Sequence, residues 1–133
     1  MRKLLPLIAA SLLIGGAAQA KPADREAELA RALEGRVAGE PVHCIDLRRV
    51  QSSQVITDTA ILYRVGSTLY LNRPANGADS LNRNDTMVTR LNSTRLCNVD
   101  TVTMVDPVSG TFTGIVFLGD FVPYRRVETG SAR

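Results

Sequence analysis

Apolar positions are unevenly spread along the chain. A near-continuous apolar run from Leu4 to Ala18 follows Met1-Arg2-Lys3 and ends in Ala18-Gln19-Ala20. Beyond it, apolar residues come in short runs of valine, isoleucine, leucine and threonine, cut by glycine, asparagine, aspartate and proline. The first block has a positive start, an apolar segment and a small-x-small site, the pattern of a secretory signal peptide removed after Ala20. Its run of about fifteen residues, broken by Pro6 and Gly15-Gly16, falls short of the roughly twenty that a spanning helix needs. The residue after the site is Lys21, so there is no cysteine to acylate. The mature chain is expected to begin at Lys21, with no membrane span, in the periplasm or secreted.

From Ala23 to Glu34 strong helix formers predict a short helix, with Asp24 as N-cap and Gly35 at the stop. Its only apolar stripe is Leu29 and Leu33, which predicts loose docking or fraying. Gly39-Glu40-Pro41 then breaks the chain. The clearest β unit is Ala60 to Val65, Gly66-Ser67, Thr68 to Asn72: two runs around a two-residue loop predict a hairpin with a type II′ turn. That loop places Val65 opposite Thr68, Tyr63 opposite Tyr70 and Leu62 opposite Leu71. Alternation puts Leu62, Arg64, Leu69 and Leu71 on one face and Ile61, Tyr63, Val65 and Tyr70 on the other, so the hairpin is apolar on both sides. Such a hairpin belongs inside a curled sheet or barrel, one face inside and the other partly covered.

A second hairpin is predicted from Thr101 to Val105 and Thr111 to Leu118 around Asp106-Pro107-Val108-Ser109-Gly110. Shorter strands are expected at 42–47, 54–57 and 87–91. Phe112, Phe117 and Phe121 are expected in the core, with Phe112 and Phe117 on opposite strand faces. The fold expected is α+β and mainly antiparallel β: a small rolled sheet or barrel of about six strands with one short N-terminal helix. The organisation expected is a signal peptide (1–20), a short helix and linker (21–40), one β-rich domain (41–127) and a disordered tail (128–133). The turn-rich stretch 74–85 is the longest without strand pattern, and so a candidate functional loop.

Composition changes this picture little. Cleavage removes Arg2 and Lys3 from the 16 basic residues, leaving 14 against 13 acidic, a net of +1. The pI near 9.2 of the full chain therefore overstates any affinity for polyanions. Of those 14, Lys21 alone is a lysine; the arginine bias fits anion recognition, and equally a GC-rich codon usage. Cys44 and Cys97 are the only cysteines, and in an exported chain of this size they are most simply a disulfide. Closing a loop of about 54 residues is worth about 4 kcal/mol on the chain-entropy account.

Cys44-Ile45-Asp46-Leu47-Arg48-Arg49, Leu71-Asn72-Arg73, Arg95-Leu96-Cys97-Asn98-Val99-Asp100 and Leu118-Gly119-Asp120-Phe121-Val122-Pro123-Tyr124 resemble the landmarks of a family of small exported proteobacterial domains of unknown function. The resemblance spans about Arg36 to Tyr124. It implies an envelope protein and supplies no activity. Members often carry two further cysteines, at places falling here near Ala78 or Asp79 and near Phe117. Their joint absence implies that those two pair with each other, leaving Cys44 with Cys97.

Chemical motifs are sparse. His43 is the only histidine, no short-spaced ligand set accompanies it, and no metal or cofactor is expected. There is no Gly-x-Ser-x-Gly elbow, and Val65-Gly66-Ser67-Thr68 reads as a turn. Asp120, between Gly119 and Phe121, reads as a turn residue before an acid or base. The asparagines and aspartates of 72–85 lack calcium-loop spacing. What remains is basic and aromatic: Arg48-Arg49 and Tyr124-Arg125-Arg126. If these meet, they form an anion-binding patch for lipid headgroups, a cell-wall polymer or an acidic protein surface; if not, they are solvated strand-end charges. Nucleic acid is disfavoured by the compartment, and no nucleic-acid partner is expected. The leading expectation is a non-enzymatic envelope binding module; the others are an inhibitor or accessory factor acting through 74–85, an unrecognised enzyme, and a mainly structural protein.

Overall fold

The computed structural model describes Gly15 and residues 21 to 127. The expected signal peptide, Gly15 apart, and the expected tail at 128–133 lie outside the described residues. Among the described residues one helix, α1 (Pro22–Ala32), precedes ten strands: β1 (Arg36–Ala38), β2 (Cys44–Asp46), β3 (Ser52–Ile56), β4 (Ala60–Val65), β5 (Thr68–Asn72), β6 (Thr86–Val88), β7 (Arg95–Cys97), β8 (Thr101–Val105), β9 (Phe112–Phe117) and β10 (Phe121–Arg126). Single 3-10 turns sit at Leu47–Arg49 and Ala78–Ser80. The strands form three antiparallel sheets, ordered β1-β10-β5-β4-β3, β2-β7 and β6-β8-β9.

The mainly antiparallel architecture with one helix is as expected, but about six strands in a barrel is corrected to ten strands in three open sheets. The undercount has a simple cause. β2 and β6 fall in the stretches expected at 42–47 and 87–91, but β1 and β7 are only three residues long, too short for a period of two to show. β10 carries Pro123, which ordinarily argues against an inner strand. Here the Pro123 carbonyl accepts from Gly39 N–H at 2.7 Å, and β1 ends at Ala38, so the missing N–H falls where the neighbouring strand has stopped.

The β4-β5 hairpin forms in the predicted register. Gly66 has φ +60° while Ser67 is not left-handed, as a type II′ turn requires. Both of its apolar faces are covered. Ile61 and Tyr63 join the main core with Ile45, Leu81, Leu96, Val102, Met104, Val116, Leu118 and Phe121. Leu62 and Leu71 pack with Ile56, Ala60 and Leu29 in a second core under the helix.

Loose docking of α1 is therefore corrected. Leu29 is 2% exposed, with Ala32 and Leu33 packed alongside. The helix is further tied by Arg25 to Asp58, Arg73 to Glu26 through two 2.9 Å contacts, and Arg83 to Glu28 at 2.6 Å. A narrow stripe suffices because the surface beneath it is a flat aliphatic sheet. Asp24 is not the N-cap: Lys21 holds that place with Pro22 at N1, and Asp24 accepts from Lys21 N–H at 3.2 Å.

A polar clamp closes the sheets on one another. Asn72 is fully buried; its Nδ2 donates to Gly119 C=O at 2.7 Å and its Oδ1 accepts from Gly119 N–H at 3.0 Å. A Cβ on Gly119 would stand 2.3 Å from the Arg73 carbonyl, so this turn admits only glycine without a shift. Cys44 and Cys97 oppose each other across β2 and β7 and are joined by the expected disulfide.

Two substitutions test this account by urea unfolding. Leu29→Ala is expected to cost about 2–5 kcal/mol, the range for a buried leucine; a cost near zero would mean an undocked helix. Asn72→Ala strands a buried N–H and C=O and is expected to cost about 2–5 kcal/mol, whereas loss of an exposed asparagine would cost almost nothing.

Candidate functional site

The sequence put forward two basic groups, and the structure separates them in role. Arg48 is folded back on Asp46: its Nε donates to Oδ1 at 3.2 Å and its Nη2 to Oδ2 at 3.0 Å, while Asp46 Oδ1 also accepts from the Arg48 backbone N–H. This hydrogen bonding holds the Asp46 carboxyl below its usual range. Arg49 is exposed on the same turn. Among the described residues no hydrogen bond or ion pair joins Arg48 or Arg49 to Tyr124, Arg125 or Arg126.

Tyr124, Arg125 and Arg126 meet different residues. On β10, Arg126 pairs with Arg36 of β1, and Tyr124 with Ala38 of β1 and Leu69 of β5. Leu69 in turn opposes Arg64 of β4. By alternation Arg36, Arg126, Tyr124, Leu69 and Arg64 share the sheet face that α1 covers further along. Arg36 is held in place, its Nη1 donating to the carbonyls of Ser67 at 2.6 Å and Tyr124 at 3.2 Å. Burial first, then the charges of Arg126 and Arg64, push the Arg36 guanidinium below its ordinary value. Among the described residues no carboxylate pairs with Arg36, Arg64, Arg125 or Arg126. The cluster sits at the Gly66-Ser67 end of the sheet, where β3 also begins beyond Arg49, since Ser52 pairs with Arg64.

Arg36 and Arg64 were not singled out in the sequence. Arg64 was visible on the Leu62–Leu71 face; Arg36 was hidden because a three-residue strand looks like linker.

A second polar group gathers at the opposite end of β10. His43 precedes β2, Asn98 follows β7 and Asp120 precedes β10. Asp120 Oδ1 accepts from Asn98 Nδ2 at 2.7 Å and lies 3.1 Å from His43 Nδ1, so the ring donates through Nδ1. Asn98 Nδ2 is also 3.2 Å from Nδ1; with that nitrogen carrying a proton, this is proximity and not a bond. The His43 bond first, then Asn98, hold the Asp120 carboxyl below its usual range. His43 and Asn98 sit opposite each other because Cys44 opposes Cys97, a neighbour relation that follows from the disulfide and antiparallel pairing. Among the described residues no set of three metal-ligating side chains occurs.

A cavity of about 390 Å³ lies between the first turn of α1 and the Asp58-Thr59 turn. Four of its charges are paired, Arg25 with Asp58 and Arg73 with Glu26, Asp79 also lines it, and the Arg73 hydrogen bond holds the Glu26 carboxyl below its usual range. It is the seam along which the helix docks. The loop at 74–85 is tied down rather than protruding. Ala75 and Asn76 N–H reach the Phe117 carbonyl, Leu81 is in the core, Thr113 donates to Asp85 at 2.6 Å, and Gly77 has no room for a Cβ against the Ile115 carbonyl.

No helix among the described residues is long and apolar enough to cross a membrane, and the disulfide accords with an oxidising compartment. No protein-family model, curated protein or solved structure matches the chain.

The Asp120 arrangement predicts a titration. A depressed folded-state carboxyl contributes stability above the ordinary aspartate range, and that contribution is lost as pH falls through the folded value. In carbon-detected NMR the Asp120 carboxyl is expected to titrate below an unperturbed aspartate and to move upward in His43→Ala. No movement would show that the ring does not hold the carboxylate.

Proposed function

We propose that this chain is an exported, non-enzymatic binding module of the bacterial envelope that engages an anionic envelope component through Arg36, Arg64 and Arg126. The observation that carries this reading is the gathering of these three arginines on one face and at one end of the five-stranded sheet, with no carboxylate paired to them among the described residues. Folding places like charges side by side at a cost, and an oxyanion bridging them offsets it. Guanidinium groups suit phosphate and carboxylate because their planar forks donate two parallel hydrogen bonds. Arg36, braced on two carbonyls, is preorganised, while Arg126 at the strand end stays exposed to reach a ligand. Tyr124 lies on the same face as the cluster, while Arg125 alternates to the opposite face; Arg48, occupied by Asp46, is left outside it.

The signal-like first twenty residues and the disulfide support an extracytoplasmic site of action, in the periplasm or secreted. The polar group at His43 is internally paired, as are Arg25, Asp58, Arg73 and Glu26 at the helix seam, which does not favour an enzyme reading. The accessory-factor reading through 74–85 loses its footing because that loop is anchored along β9.

Vesicle flotation of residues 21–133 tests the proposal. Binding is expected to vesicles containing an anionic phospholipid, not to zwitterionic ones, and to fall at salt concentrations that shorten the Debye length to about 3 Å. With about 1 kcal/mol per arginine at an anionic surface, Arg64→Glu with Arg126→Glu is expected to weaken binding more than about tenfold, while Arg48→Ala leaves it unchanged. Retention by the double variant, or loss through Arg48→Ala, would overturn the assignment.

A further inference from the structure

The outer face of the β6-β8-β9 sheet has no role in this reading, and its composition is unusual for a surface. Val102, Met104, Gly114 and Val116 point into the protein. Outward point Thr86 and Val88 of β6, Thr101, Thr103 and Val105 of β8, and Phe112, Ile115 and Phe117 of β9. None of these is charged. Phe112 is 61% exposed, Phe117 45%, Ile115 39% and Val88 38%.

The sequence expectation placed Phe112 and Phe117 on opposite faces and in the core, and both parts are corrected. The register shifts at Met104/Val105: Met104 pairs with Gly114 and Val105 with Phe112, so Thr113 is an extra residue. A bulge of one residue inverts the alternation beyond it, which turns Phe112 to the same side as Ile115 and Phe117. All three large side chains thus form one ridge along β9, beside a trough of threonine and valine on β8 and β6.

We infer that this face is a self-association surface, covered by the same face of a second copy about a two-fold axis. An isologous contact sets each patch against itself, so any charge near the axis would meet its own copy; this face carries none. The relief is self-complementary as well. Rotation about a two-fold axis lays the Phe112-Ile115-Phe117 ridge of one copy into the Thr103-Val105-Val88 trough of the other, as facing sheets interdigitate at about 10 Å. A charged or lipid-headgroup partner finds no ionic contact here. The face measures roughly 14 by 20 Å from strand spacing and rise, small beside the ~800 Å² per partner of a standard interface, so the dimer is weak and reversible.

Sedimentation equilibrium of residues 21–133, from about 10 μM to about 1 mM, covers the affinity range expected of so small a contact. The wild type is expected to pass from monomer towards dimer across that range, and Ile115→Asp to stay monomeric throughout. Because Ile115 faces solvent, its variant should keep the wild-type circular dichroism and melting; Thr103→Asp, on the trough side, gives an independent second reading. A wild type that remains monomeric at 1 mM would overturn the inference, as would a dimer that persists in both folded variants. Ile115-dependent binding to zwitterionic vesicles by a chain that stays monomeric would assign the face to lipid instead.

Discussion

The architecture depends on a hairpin that cannot leave either face in water. Ile61 and Tyr63 on one side, Leu62 and Leu71 on the other, give β4-β5 two apolar surfaces, each needing its own cover. The large side chains on these faces make burial worth about 1.5–3 kcal/mol apiece, so the strongest local signal in the chain dictates two layers. One side is met by the smaller sheets, the other by α1. A helix with little intrinsic stability and only Leu29 fully buried is stable where it lies because the hairpin supplies the surface.

Covering the first face requires β2, β7 and the β6-β8-β9 sheet to close over it, and among the described residues no strand ladder joins these sheets to the five-stranded one. Closure is instead made by point contacts of high value. Asn72 stands in for a missing strand neighbour by bonding both backbone groups of Gly119. Val42 and Phe121 exchange two 2.8 Å bonds, and the disulfide joins three-residue strands. Satisfying buried backbone groups through one side chain is economical, but removing it strands both.

Legibility in the sequence followed the length of the pattern. The β4-β5 register was readable because a two-residue turn and eleven strand residues agree. The β8-β9 hairpin was readable as to extent, yet its side-chain facing was not, because one bulge residue, Thr113, reverses parity and leaves no compositional mark. Three-residue strands carry no periodicity, so β1 was taken for linker and Arg36 passed unnoticed. Arg48-Arg49 stood out as a doublet, but adjacency in sequence says nothing about a carboxylate two residues earlier: Asp46 occupies Arg48. The helix was recognised from propensity, while its docking depends on a sheet surface remote in sequence.

The two ends of β10 show why the charged end is the better functional candidate. At its start, Asp120 is bonded to His43 and Asn98, Phe121 to Val42, and Gly119 to Asn72; each polar group there is used in holding sheets together. At its far end Arg126 faces Arg36, and Arg64 lies across Leu69. No closure is needed there, since β1, β10 and the β4-β5 turn already belong to one sheet. Arg36 braces the Ser67 and Tyr124 carbonyls, but among the described residues the side chains of Arg64 and Arg126 make no hydrogen bond or ion pair, and both add repulsion to Arg36. Groups that fold at a cost without closing the fold are the ones free to spend their hydrogen-bonding capacity on a ligand.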